Sequence, residues 1–230
     1  MTTSFWNLTP PPGFKGLRDD LPLRCYVQIL PHLRQEGATY FVTFRLDDAL
    51  PVSKLHELRG LREEWERRNP PPRTAEAQDD IARKVTQRLE DWLDQGMGSC
   101  VLRNSNVSER VVAALHSGHT TSHELGCYVV MPNHVHAVVR PLLPGDHDLE
   151  DVMQIWKGRS AREINQQLGR SGTLWQRESY DRIIRDEEHL WRVIQYIGRN
   201  PTMAGLPPGM APLWINPEWA VLGWDFLPPA

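Results

Sequence analysis

Residues 128–139 read YVVMPNHVHAVV and join two apolar, β-branched runs through a Pro-Asn dipeptide. The run before the dipeptide, LGCYVV (125–130), and the run after it, VHAVVRP (135–141), have the composition of strands. A Pro-Asn pair between two such runs is typical of a tight turn. We therefore predict a β-hairpin that carries His134 and His136 on its second strand.

The hairpin has strand and helix patterns on both sides of it. ATYFVTFRL (38–46) alternates like a strand, and GTLWQRESYDRIIR (172–185) also reads as a strand. Helical spacing is predicted for five segments, which begin at Ser53, Thr74, Ser108, Leu149 and Asp186. A direct hairpin combined with intervening helices predicts an α+β fold, an antiparallel sheet with helices packed on it.

The same patterns predict how the chain is divided. Residues 1–37 are Pro-rich and are expected to be irregular, and residues 38–206 are expected to form one domain. Within it, residues 53–105 are a predicted helical insertion after the first strand. Residues 207–230 form a Pro/Trp-rich tail that we expect to pack irregularly over the core. We expect Pro201 to end or distort the last long helix.

Composition excludes several classes of protein. The 230-residue chain has a net charge of −3 and no apolar run long enough for a membrane span. Its three cysteines form no CxxC pair, and its N-terminus lacks a secretory pattern, so we expect a cytoplasmic protein with reduced thiols. Residues 157–199 hold nine Lys/Arg and six Asp/Glu, so any basic face is local.

The two histidines are candidates for a metal site. Residues i and i+2 of a strand point to the same face, so His134 and His136 can hold one divalent ion between them. The competing interpretation is a pair of half-buried, hydrogen-bonded histidines. A metal needs a third ligand, and Tyr196 and Asn200 lie one helical turn apart on one face of the last long helix. If that face meets the histidines, a phenol and an amide oxygen reach the metal; otherwise Tyr196 is an ordinary core tyrosine.

These motifs together resemble a known family. MPNHVHAVV (131–139) resembles the HUH motif, His-hydrophobe-His on a strand, of single-strand DNA transposases and replication initiators. LWQRESYDRIIRDEEHLWRVIQYIGRNPTMAGL (174–206) resembles the C-terminal half of the REP-associated tyrosine transposases, relatives of the single-tyrosine insertion-sequence transposases. ATYFVTFRL is similar to that family's first strand, so the likeness covers about residues 38–48 and 125–206.

The resemblance implies a fold, a site and an activity. The fold would be that of HUH endonucleases, ferredoxin-like or RRM-like. His134 and His136 would bind Mg²⁺ or Mn²⁺, Tyr196 would be the nucleophile, and Asn200 would replace the glutamine that related transposases use as third ligand. Such enzymes cleave and rejoin single-stranded DNA at hairpin, REP-like sequences through a 5′-phosphotyrosine, as monomers or homodimers.

Several alternatives stay open at this stage. Tyr180 is a rival nucleophile, although it has no metal-type partner one turn away. The chain could be a domesticated protein that binds hairpin DNA without cutting it. It could also be an unrelated zinc hydrolase that takes a third ligand from a carboxylate or from His116, His119 or His123. Candidate phosphate contacts, each of which could instead be a solvated charge, are Lys157, Arg159, Arg177 and Arg182.

Overall fold

The computed structural model describes residues 7–27, 31–72, 75–142 and 148–228. Its strands are β1 (Arg24–Val27), β2 (Pro31–Arg34), β3 (Tyr40–Arg45), β4 (His123–Val130), β5 (His134–Pro141), β6 (Tyr180–Ile183) and β7 (Leu213–Ile215). Its α-helices are α1 (Val52–Arg68), α2 (Ala75–Leu93), α3 (Ser105–His116), α4 (Asp148–Gln167), α5 (Glu187–Met203) and α6 (Pro217–Val221). Within these ranges, no helix combines the length and the apolar composition that crossing a bilayer requires.

Five strands form one antiparallel sheet in the order β6-β3-β5-β4-β7. The predicted α+β fold is confirmed, and so is the predicted β4–β5 hairpin. Apolar side chains from α3 and α4 pack on one face of this sheet, and those of α5 and α6 pack on the other. Both faces are therefore buried, which explains why the hairpin strands are apolar almost throughout.

Side-chain alternation along β5 separates the two cores. Val135, Ala137 and Val139 lie in the core under α3 and α4, while Val138 lies in the core under α5. His134 and His136 have the same parity as Val138 and face α5. The prediction that the two histidines share one face of a strand is confirmed.

The predicted helical insertion follows β3 as α1 and α2. Ile81, Val85, Leu89 and Trp92 are spaced three or four residues apart and form one apolar stripe along α2, in which Val85, Leu89 and Trp92 are buried. Helix α1 buries no side chain completely, so it is held less firmly than α2. The predicted start of the second helix at Thr74 lies outside the described residues, as does most of the predicted loop after β5.

Three predicted boundaries were wrong. Helix α3 begins before Ser108, because the Asn104 side chain accepts the Asn106 backbone N–H and caps the helix there. The strand predicted over 172–185 is reduced to β6. Just before β6, the carbonyl oxygens of Gln176 and Arg177 accept hydrogen bonds from Lys157 of α4 and do not take part in strand pairing. Helix α5 continues through Pro201 to Met203; a proline in the last turn removes only one backbone hydrogen bond.

The terminal segments are more ordered than their composition predicted. Residues 24–34, expected to be irregular, contain the antiparallel β1–β2 pair. In the tail, β7 adds a fifth strand beside β4, and Trp219 and Trp224 are buried. Gly126 of β4 is required at that point, because a Cβ atom there would lie 2.4 Å from the Trp219 ring. The tail therefore contributes to the core under α5.

A buried ion cluster fastens the β1–β2 pair to the sheet. His32 Nδ1 lies 2.6 Å from Asp181 Oδ1 on β6, and the Arg34 guanidinium pairs with the same carboxylate. Burial lowers the pKa of His32, but hydrogen bonds with Asp181 and Glu178 outweigh burial and raise it to about 9. His32 is therefore charged in the folded protein at neutral pH.

Replacing His32 tests this cluster through the pH dependence of stability. A folded pKa of about 9, above the ordinary value of 6.5, means that the stabilisation is complete below about pH 6.5 and is lost as the pH rises through 9. The full effect is on the order of 3 kcal/mol. Urea unfolding should show this loss in the parent chain and a smaller loss in His32→Asn. Parallel curves for the two proteins would contradict the assignment.

Candidate active site

The histidine pair is buried and closely spaced. His134 Nε2 and His136 Nε2 are 3.0 Å apart, and both side chains are screened from solvent. Burial lowers the pKa of His134 to about 3, and burial together with the neighbouring imidazole lowers the pKa of His136 well below its ordinary value. Both rings are neutral at physiological pH, which is the form that binds a metal.

Partners of the outer ring nitrogens orient both imidazoles. The Asn133 amide donates through Nδ2 to the carbonyl oxygens of Leu93 and Met97, so its Oδ1 is the acceptor for His134 Nδ1–H at 2.7 Å. With its proton on Nδ1, His134 presents a lone pair on Nε2. His136 Nδ1 lies 2.7 Å from the hydroxyl oxygen of Thr43 on β3. Such outer partners are typical of metal-binding histidines.

Helix α5 brings Tyr196 and Asn200, which share one helical face as their spacing predicted, to the histidine pair. The Tyr196 hydroxyl lies 3.4 Å from His136 Nε2, and Asn200 Nδ2 donates to that hydroxyl at 3.2 Å. Asn200 is 0% exposed, and its Oδ1 has no hydrogen-bond partner in the described part of the chain. A buried amide oxygen without a partner is costly unless something else satisfies it.

The donor set fits a divalent ion. Two nitrogens that bind one ion at about 2.1 Å and at a right angle lie about 3.0 Å apart, which is the separation of the two Nε2 atoms. Asn200 lies beside His134, and its Oδ1, which has no hydrogen-bond partner among the described residues, is available as a third, oxygen donor. Among the described residues, no third His, Cys, Asp or Glu joins the pair. The amide oxygen suits Mg²⁺ or Mn²⁺, and the two imidazoles also accept zinc or nickel.

The alternative third histidines lie elsewhere. His116 and His119 contact Trp214, and His123 packs against Trp156 in the core under α3 and α4. These three side chains are therefore on the opposite face of the sheet from His134. None of these three histidines can be the third zinc ligand that the hydrolase interpretation requires.

The rival nucleophile is separated from the histidines. Tyr180 on β6 and His136 on β5 both pair with Thr43 of β3, so they lie on one face but two strands apart. That separation is about 10 Å. Burial raises the pKa of Tyr180 to about 12, and its hydroxyl interacts with Thr86 rather than with an imidazole. Tyr196 is the tyrosine that the fold brings to the pair.

Acidic side chains of α2 approach Tyr196 and were missed from the sequence. Burial raises the pKa of Glu90 to about 7 although a hydrogen bond with the Tyr196 hydroxyl opposes it, and burial with Asp91 nearby raises the pKa of Asp94 to about 6. Burial, and then these carboxylates, raise the pKa of Tyr196 well above its ordinary value. The only available sequence signal was the i, i+4 spacing of Glu90 and Asp94 beside the apolar stripe of α2.

An open cleft of about 630 Å³ leads to Tyr196. One wall carries the acids of α2, and the other carries basic side chains of β6 and α5, namely Arg182, Arg185 and Arg192. Of the predicted phosphate contacts, Arg182 lies in this cleft and Arg177 is exposed before β6. Arg185 and Arg192 were not predicted.

The other two predicted contacts are not brought to this site. Lys157 of α4 donates to the carbonyl oxygens of Gln176 and Arg177 and to Ser179 Oγ, which uses all three of its protons. Arg159, also on α4, bonds to Glu163 and Ser117. Helix α4 packs on the face opposite Tyr196, so these two predictions are not supported by the geometry.

A known protein family matches part of this chain. Residues 101–200 match the family described as "Transposase IS200 like". None of the curated proteins matches the chain.

Two solved structures are similar to it. One is a REP-associated tyrosine transposase bound to a REP hairpin (17% identity, 80% of this chain and 76% of that one, TM-score 0.38). The other is a candidate transposase from Deinococcus radiodurans R1 (15% identity, 81% and 98%, TM-score 0.36). The segment matched by the family contains His134, His136, Tyr196 and Asn200. The resemblance predicted from the sequence is therefore confirmed: residues 101–200 of this chain carry the pattern of the IS200-like transposase family.

Proposed function

We propose that this protein is a metal-dependent transposase that cleaves and rejoins single-stranded DNA beside hairpins through a 5′-phosphotyrosine on Tyr196. One observation carries the proposal. The Tyr196 hydroxyl, the two imidazole Nε2 atoms and the Asn200 side chain lie in one cluster at the end of an open cleft. A nucleophile and a set of metal donors thus share a site large enough for a DNA strand.

The residues have separate roles in this proposal. His134, His136 and Asn200 would hold a divalent ion, which would polarise the scissile phosphate and neutralise its developing charge. Asn200 Nδ2 also holds the Tyr196 oxygen in place. Arg182 and its neighbours on the basic wall of the cleft would contact backbone phosphates.

Glu90 lines the same cleft as Tyr196, and we assign to it the role of accepting the tyrosine proton. The Tyr196 oxygen already accepts from Asn200, and the His136 lone pair would be engaged by the ion, which leaves the Glu90 carboxylate as the acceptor. As the phenol oxygen bonds to phosphorus, its proton moves to Glu90. The phosphorus–O3′ bond breaks, and the leaving oxygen takes a proton from solvent as a 3′-OH. In rejoining, a 3′-OH attacks, releases its proton to solvent, and Glu90 returns its proton to the tyrosine.

A denaturing gel tests the activity directly. The full chain is incubated with a single-stranded hairpin oligonucleotide labelled at its 3′ end, with Mn²⁺ or with a chelator. A band in which protein and label migrate together is expected with Mn²⁺ only. Hairpin binding without such a band, over a series of hairpins, would favour the domesticated binding protein instead.

Glu90→Gln tests the proton acceptor. The amide keeps the shape of the side chain but cannot take the proton, so adduct formation should slow by about 10²-fold or more. Asp91→Asn is the matched control: it removes a carboxylate charge that also acts on Tyr196, but Asp91 does not hydrogen-bond with the hydroxyl, so this variant should change the rate much less than Glu90→Gln does. A faster reaction in Glu90→Gln would mean that the carboxylate restrains Tyr196 by raising its pKa.

A further inference from the structure

The residue just before β5 connects the candidate site to the end of the helical insertion. Asn133 is 1% exposed, and both protons of its Nδ2 are used. One is donated to the Leu93 carbonyl oxygen at 3.2 Å, and the other to the Met97 carbonyl oxygen at 3.0 Å. Leu93 is the last residue of α2, and Met97 lies four residues beyond it. The Asn133 side chain therefore joins the β4–β5 hairpin to the insertion.

These two bonds leave the Asn133 amide a single orientation. With Nδ2 held by two carbonyl oxygens, it is Oδ1 that faces His134 Nδ1 at 2.7 Å. A flipped amide would set its oxygen against both carbonyl groups and lose both bonds. Because an amide oxygen can only accept, the His134 proton lies on Nδ1 and the lone pair lies on Nε2. Main-chain carbonyl groups do not titrate, so the position of the α2 end alone makes this selection.

The partner of the second histidine selects neither tautomer. Thr43 Oγ1 lies 2.7 Å from His136 Nδ1, and a hydroxyl group can either donate or accept. His136 can therefore carry its proton on either ring nitrogen, because the Thr43 hydroxyl rotates to suit. The two imidazoles thus differ, since the tautomer of His134 is fixed and that of His136 is adjustable.

The loop after α2 is itself held by close main-chain contacts. The Ser99 N–H donates to the Asp48 carboxylate at 2.8 Å. A Cβ atom at Gly98 would lie 2.4 Å from the Asp48 carbonyl oxygen, and Gly98 has a φ of +84°, which favours glycine. The Asn133 carbonyl oxygen in turn accepts the Leu46 N–H at 2.9 Å. The loop after α2 and the turn before β5 are therefore both attached to the segment that follows β3.

We propose that Asn133 is a positioning residue through which the end of the helical insertion fixes the tautomer of His134 and sets the metal affinity of the candidate site. This role rests on the proposed metal-dependent function. Only a His134 with its lone pair on Nε2 can join His136 in holding one ion, whereas the other tautomer has a proton at that position. The insertion then acts on the site at two points, through Asn133 and through Glu90.

Asn133→Leu tests the positioning role. Leucine is close to asparagine in shape but offers His134 no acceptor, so the proton is no longer confined to Nδ1. Long-range ¹H–¹⁵N NMR of the full chain in chelator identifies the protonated nitrogen of each imidazole. The parent chain should show His134 protonated on Nδ1 only, and the variant should not. The dissociation constant for Mn²⁺, measured by titration with the metal alone, should rise by about 10-fold or more.

Thr43→Val is the comparison at the other histidine. Valine keeps the shape of threonine and removes the hydroxyl beside His136 Nδ1. Its effect should be confined to the His136 resonances, with His134 still protonated on Nδ1. A change of the His134 tautomer in Thr43→Val as large as that in Asn133→Leu would mean that the whole pair is disturbed, and it would contradict a separate role for Asn133.

Gly98→Ala tests the link to the insertion without altering Asn133. The added Cβ atom meets the Asp48 main chain, so the loop must move and carry the Met97 carbonyl group with it. The His134 resonances should change and Mn²⁺ should bind more weakly. Gly169→Ala is the matched control, because Gly169 also has a positive φ, +59°, but no atom lies within 4 Å of the added Cβ. Thermal unfolding is recorded for each variant, and Gly98→Ala decides the test if Asn133→Leu does not fold.

Two results would overturn the proposal. One is a His134 proton on Nε2 in the parent chain, and the other is an unchanged tautomer and Mn²⁺ affinity in Asn133→Leu or, if that variant is unfolded, in Gly98→Ala. The covalent-adduct assay reports on the proposed function separately. An adduct that needs no more Mn²⁺ in Asn133→Leu than in the parent chain removes the positioning role and leaves the cleavage function intact. An Asn133-dependent Mn²⁺ affinity without an adduct on any hairpin removes the cleavage function and leaves the positioning role.

Discussion

Tyr196→Phe should eliminate the covalent DNA adduct completely. The substitution removes only the hydroxyl that lies 3.4 Å from His136 Nε2, so the nucleophile is lost while the ring and its packing against Phe41 remain. The fold should be nearly unaffected, because removing one hydroxyl changes the packed volume very little. Adduct formation on a denaturing gel and thermal unfolding, measured on the same preparation, separate loss of chemistry from loss of structure.

Tyr180→Phe is the matched control for this prediction. Both tyrosines are mostly buried on the same face of the sheet, but the Tyr180 hydroxyl interacts with Thr86 and not with the histidines. This variant should form the adduct at nearly the parent rate. An adduct that persists in Tyr196→Phe and maps to Tyr180 would disprove the assignment of the nucleophile and with it the role given to Asn200.

His136→Ala should abolish metal-dependent cleavage and leave most hairpin binding. One of the two imidazole donors is removed, whereas phosphate contacts come from basic side chains of the cleft such as Arg182. A higher Mn²⁺ concentration should not restore cleavage, because His134 and Asn200 alone provide too few donors to hold the ion. Cleavage is measured against Mn²⁺ concentration, and binding by fluorescence anisotropy in the presence of a chelator.

His123→Ala controls for the cavity that the first substitution leaves. His123 is buried in the same sheet but on the opposite face, where its Nε2 lies 3.0 Å from the Leu115 carbonyl oxygen. It should lower the unfolding temperature about as much as His136→Ala does and should retain cleavage. Equal losses of binding and cleavage in His136→Ala would count against the division between metal site and phosphate contacts.

The arrangement of the candidate site residues was largely predictable because it depends on local geometry. The i, i+2 spacing on a strand and the i, i+4 spacing on a helix each set which side chains lie together, whatever surrounds them. The pairs His134/His136 and Tyr196/Asn200 follow from these two periods. That the two pairs meet does not follow from either period; it was inferred from the family resemblance, and the packing of α5 on the sheet brings them together.

The errors have physical causes that are not local. The segment before β6 has the composition of a strand, but its Gln176 and Arg177 carbonyl oxygens accept hydrogen bonds from Lys157 of α4 in place of a neighbouring strand. The Pro-rich N-terminal segment forms a strand pair that is held by Arg34 and His32 against Asp181 of β6, almost 150 residues away. Neither outcome can be predicted from the residues that flank the affected segment.

The sequence by itself determined the hairpin, the presence of the five long helices and the two pairs of polar residues, because each depends on the backbone period of one element. Only the tertiary structure decided that Glu90 of the insertion faces Tyr196 and that Nη1 of Arg45 is buried without a hydrogen-bond partner among the described residues. Both depend on how α1 and α2 dock on the sheet, and docking is set by the fit of many side chains that are distant in sequence. The sequence does not show whether a charged residue with apolar neighbours is exposed to solvent or buried.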